Sequence, residues 1–73
     1  MELTIKITWD PDACVWTADG GEAVPGLALE SGSVDALIER LRYAVPELLE
    51  LNGRPTAPLT LRMVSERCER IAV

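Results

Sequence analysis

The sequence predicts an α+β domain of order β-β-β-α-β, in which a four-stranded sheet is covered on one face by one kinked helix. Three observations carry that prediction. Leu3, Ile5, Ile7 and Trp9 alternate with Thr4, Lys6 and Thr8, the period of a strand buried on one face. Val34, Leu37, Ile38, Leu41, Val45, Leu48 and Leu49 recur at the spacing of a 3.6-residue helix. Leu59, Leu61 and Met63 then restore a two-residue period after Pro55 and Pro58.

The first strand gives way to Asp10-Pro11-Asp12, where proline fixes φ and aspartate side chains can accept from nearby amides. The chain reverses there into a second, antiparallel strand over residues 13–18. Cys14, Trp16 and Ala18 face one way along it, Ala13, Val15 and Thr17 the other, and Trp9 comes near Trp16. Cys14 accordingly reads as a small buried hydrophobe. Gly20-Gly21 and Val24-Pro25-Gly26 are turn signals, leaving Leu27–Glu30 as a short third strand.

Ser33 is placed to cap the helix N-terminus, with Asp35 complementing the dipole in the first turn. Glu39, Arg40, Arg42, Glu47 and Glu50 fall on the polar side, and Asn52-Gly53 is a stop signal. Pro46 lies inside this helix. An internal proline costs about 3 kcal/mol, so a kink or restart is expected between Arg42 and Pro46. Residues 54–58 form a connection, and residues 59–64 a fourth strand parallel to the first and third. For Ile71-Ala72-Val73, continuation of the strand past a bulge, pairing with another subunit and a loose end all stay open.

Seventy-three residues suffice for one domain. Scaling relations give a folded monomer of this size roughly 4,450 Å² of accessible surface, burying only around 60% of what the unfolded chain exposes. One helix cannot cover both faces and the edges of a sheet, so a homodimer or larger assembly is expected. The composition is 48% hydrophobic, too apolar for a disordered chain. No apolar run approaches the roughly 20 residues of a membrane span, and the alternating N-terminus is not a signal peptide. A cytoplasmic protein with reduced thiols at Cys14 and Cys68 is the expectation.

The net charge is −5, and residues 10 to 35 hold six acids and no base. Within that segment Asp10, Asp12, Asp19, Glu22 and Glu30 are the candidate partner-binding residues, because opposite potentials speed encounter with a basic partner and disfavour wrong ones. Direct nucleic-acid binding is disfavoured, since it depends on neutralising phosphates with Lys and Arg. The chain has no histidine, which removes the commonest general base and the Ser-His and Cys-His nucleophiles. Neither a CxxC pair nor a phosphate-binding glycine loop with its lysine is present. Asp10, Asp12 and Asp19 could in principle hold magnesium, but capping of turn amides is the simpler role for them. The expectation is a protein without catalysis, metal or cofactor.

Taken in order, Trp9-Asp10-Pro11-Asp12, Val15-Trp16, Val24-Pro25-Gly26-Leu27, Ser33 to Leu41 and Val45-Pro46-Glu47-Leu48-Leu49-Glu50-Leu51-Asn52-Gly53 resemble the HicB-like family. The resemblance spans about residues 3–64 and is nearest to a small bacterial branch recorded as a domain of unknown function. It implies a partial ribonuclease H-like fold without that enzyme's catalytic acids, with the fourth strand beside the first. It also implies a partner. HicB-like antitoxins silence HicA, a small basic toxin with a double-stranded-RNA-binding-like fold that cleaves messenger RNA. Many relatives carry a C-terminal DNA-binding module, but only twenty residues follow Gly53, so a single domain over 1–73 is expected. The functional expectation is an antitoxin or antitoxin-derived regulator that masks a basic HicA-like toxin. The alternative is a stand-alone oligomeric module binding a small ligand or an unrelated protein through the sheet surface around Trp9 and Trp16.

Overall fold

A computed structural model describes residues 1–54 and 58–72. Its elements are β1 (Glu2–Asp10), β2 (Val15–Asp19), β3 (Ala28–Ser31), α1 (Val34–Leu51) and β4 (Thr60–Glu66). They form an α+β fold with one four-stranded sheet in the order β3-β2-β1-β4. β1 and β2 are antiparallel, as are β2 and β3, while β4 runs parallel to β1 from Glu2 opposite Thr60 to Thr8 opposite Glu66. The expected placement of the fourth strand beside the first is therefore what the chain adopts. Residues 55–57 of the expected connection and Val73 of the tail lie outside the described residues.

Alternation in β1 sends Ile5 and Ile7 inward, where they are buried, and Lys6 and Thr8 outward, where they are exposed. Leu37, Leu41, Val45 and Leu49 of α1 meet them, and with Ala18, Val24 and Leu27 they make one hydrophobic core. The helix packs against β2 and β3. Its caps follow the sequence closely. The Ser33 hydroxyl accepts from the Ala36 amide at 3.3 Å. At the other end Gly53 takes φ 69°, its amide donates to Glu50 O at 3.0 Å, and the Arg54 amide donates to Leu49 O at 2.8 Å. Those paired bonds are a Schellman motif, which satisfies carbonyls the helix would leave unpaired.

Three expectations need correction. Residues 13 and 14 belong to a turn and not to β2: the Asp10 side chain accepts from the amides of Asp12 and Ala13 at 3.0 and 3.3 Å, and Cys14 takes φ 54°. Cys14 is exposed, not buried, because the turn removes it from the strand alternation. At Pro46, of the kink or restart expected, the restart does not occur, since α1 is continuous from Val34 to Leu51. Capping at both ends and the buried line Leu41, Val45, Leu49 hold the helix through a position with no amide to donate. Finally, β3 starts one residue later than expected, and β4 runs from Thr60 on to Glu66. Residues 67–72 continue without regular structure.

The loop from Gly20 to Leu27 closes on itself through Gly20 N–Leu27 O, Val24 N–Gly20 O and Leu27 N–Val24 O bonds of 3.1 to 3.2 Å. The helix C-terminus holds it from outside. Asn52 Nδ2 donates to Pro25 O at 3.2 Å, and Arg54 Nη1 donates to Ala23 O at 3.1 Å.

Candidate protein interface

The outward residues of β1, β2 and β3 place Asp10, Asp19 and Glu30 on the sheet face opposite α1. Asp12 lies in the β1–β2 turn and Glu22 in the 20–27 loop, both exposed. The hairpin separates these groups. Asp10 stands opposite Val15, whereas Asp19 stands opposite Lys6, which puts the two aspartates about 13 Å apart along the strands. Asp10 and Asp12 thus mark one end of the sheet, Asp19 and Glu22 the other, and Glu30 sits between, opposite Thr17. The five residues form an extended surface and not a cluster.

Their local roles differ. Asp10 holds its own turn, and Asp19 Oδ1 accepts from the Gly21 amide at 2.8 Å, so both carboxylates are partly committed to backbone. The carboxylates of Asp12, Glu22 and Glu30 accept no hydrogen bond among the described residues. Ion pairs among the described residues join Arg42 to Glu39 and Arg67 to Glu69. Neither reaches the segment from 10 to 35. Several cations are instead engaged with backbone or ring: Arg40 donates to Glu30 O, Arg54 to loop carbonyls, and Arg67 lies over Trp9. No group of three or more Cys, Asp or Glu side chains converges as a metal site among the described residues.

Trp9 and Trp16 pair across the hairpin with ring centroids 5.3 Å apart and planes tilted by 59°. Both are half-buried, and Trp16 packs against the core. The Arg67 guanidinium stands 4.1 Å from the Trp9 centroid and donates through Nε to Glu69 at 2.6 Å. That contact, favourable through the ring quadrupole, covers a surface that the sequence had suggested for stacking a small ligand. It was not legible beforehand, because Arg67 is far along the chain and reaches Trp9 only through the β1–β4 register. A groove of about 300 Å³ runs along β4 on the helix side, lined by Ile38, Arg42, Pro46, Leu59, Leu61 and Met63.

No helix among the described residues is long and apolar enough to cross a membrane. No curated protein matches the chain. Among solved structures, the crystal structure of the hypothetical protein TTHA1013 from the extremely thermophilic bacterium Thermus thermophilus is similar, with 38% identity and a TM-score of 0.81. The match covers 97% of this chain and 100% of that one. A family model described as a domain of unknown function, DUF1902, matches residues 2–73, and the chain belongs to that family.

Proposed function

We propose that this domain is a noncatalytic, HicB-like interaction module that masks a basic partner, a HicA-like RNA-cleaving toxin, as an antitoxin or a regulator derived from one. The observation that carries this reading is the absence of any internal ion pair to Asp10, Asp12, Asp19, Glu22 or Glu30 among the described residues. Their negative field therefore faces outward, where it steers a cationic partner and disfavours an acidic one. Asp12, Glu22 and Glu30 are the residues to test, because Asp10 and Asp19 also hold turns.

The triple variant Asp12→Lys, Glu22→Lys, Glu30→Lys is expected to keep the wild-type circular dichroism spectrum. Against a basic HicA-like toxin it should lose roughly tenfold or more in affinity at low salt, and much of the salt dependence with it. Protection of messenger RNA from cleavage should weaken in parallel. Equal affinity of both proteins at low and high salt, or no capture of the toxin by the wild type, would overturn the reading.

A further inference from the structure

The two edges of the sheet are unlike. β3 has four residues, packs against α1, and has its Glu30 carbonyl occupied by Arg40 at 2.8 Å. β4 has seven residues, pairs with β1 on one side, and has no strand on the other among the described residues. An edge of that length presents a row of unused backbone donors and acceptors, which native proteins blunt or pair. Nothing in Thr60–Glu66 blunts it with a proline, and Met63 and Val64 are 37% and 43% exposed.

We infer that the occupant of this edge is β4 of a second copy, antiparallel across a twofold axis at Val64. A C2 contact is self-complementary, so every residue placed on one strand is met by its symmetric counterpart. Backbone parity then restricts the axis to whole residue positions, and charge decides among them. An axis at Arg62 or at Glu66 sets like charges directly opposite, which is destabilising. At Met63 the Arg62 side chain meets Val64 and Glu66 meets Thr60, and at Ser65 Glu66 meets Val64, so the charges stay uncompensated. At Val64, Arg62 of each copy faces Glu66 of the other, and the two pairs flank a Val64–Val64 contact. All three residues lie on one face, since they alternate with Leu61 and Met63. The pairing joins the two sheets into one and covers Val64. It also continues the sheet beside the groove that Leu59, Leu61 and Met63 line.

Sedimentation velocity over a micromolar to submillimolar range tests this, independently of the acidic segment. The wild type is expected to dimerise. Arg62→Glu and Glu66→Arg should each weaken dimerisation roughly tenfold or more, and the double exchange R62E/E66R should restore it. Because the double variant contains both changes, its recovery cannot come from misfolding of the singles. A monomer at every concentration, single variants that associate like the wild type, or a double variant as weak as the singles would each overturn the inference.

Discussion

At Gly20 an added Cβ would overlap the Val24 carbonyl oxygen and lie 2.8 Å from the Cβ atoms of Leu27 and Val24. The obstacle is backbone and core side chain, and neither can turn aside. Gly20→Ala should therefore lower unfolding free energy by about 3 kcal/mol, at the upper end for overpacking. Gly32→Ala, where nothing lies within 4 Å of the new atom, should change it by less than about 0.5 kcal/mol. Urea unfolding of both variants checks the contrast. The sequence marks Gly20-Gly21 as a turn, yet which glycine is sterically required depends on how residues 20–27 close on themselves. Cys14 illustrates the same gap: its alternation with Trp16 and Ala18 reads as strand, while the Asp10 side chain and a left-handed φ put it in the turn. Candidate residues 10 to 30 were legible as an acidic run. Their division between the two ends of a hairpin was not, because composition carries no register.

Helix α1 was the most legible element, since its apolar spacing, Ser33 and Asn52-Gly53 each specify a local feature that tertiary packing then uses. Pro46 is where local preference and packing disagree. Its missing amide leaves the Arg42 carbonyl without the usual intrahelical donor, yet the buried positions on either side keep the helix continuous. Pro46→Ala restores that donor but removes ring atoms from the groove wall shared with Leu59 and Leu61. The first effect is the larger, so the variant should gain about 1 to 2 kcal/mol in urea unfolding, part of the proline cost of about 3 kcal/mol. A loss would mean that the ring's packing outweighs the hydrogen bond. β4 was legible only as far as Val64 because Ser65 and Glu66 are polar. The strand nevertheless continues, since Ser65 pairs beside Ile7 at the exposed margin of the sheet, where an apolar side chain is not needed.

The whole molecule exposes 5247 Å², more than the roughly 4,450 Å² expected of a compact monomer of this size. Its extents of 51 × 20 × 19 Å account for the difference. Stability consequently rests on one thin layer between α1 and the sheet, where Leu37, Leu41 and Val45 are fully buried. Leu41 lies at the centre of that line, with no second core behind it among the described residues. Leu41→Ala should cost about 2 to 5 kcal/mol, against a total of about 4 to 11 kcal/mol for a chain of this length. The variant is expected to unfold at a much lower urea concentration. Tryptophan fluorescence from the Trp9–Trp16 pair and far-ultraviolet circular dichroism from α1 should still report one coincident transition. If β4 seats a second copy, the wild-type midpoint should also rise with protein concentration, because association stabilises only the folded chain. Loss of the tryptophan signal well before the helical signal would contradict a single layer, since it would mean that the hairpin end and the helix melt as separate units.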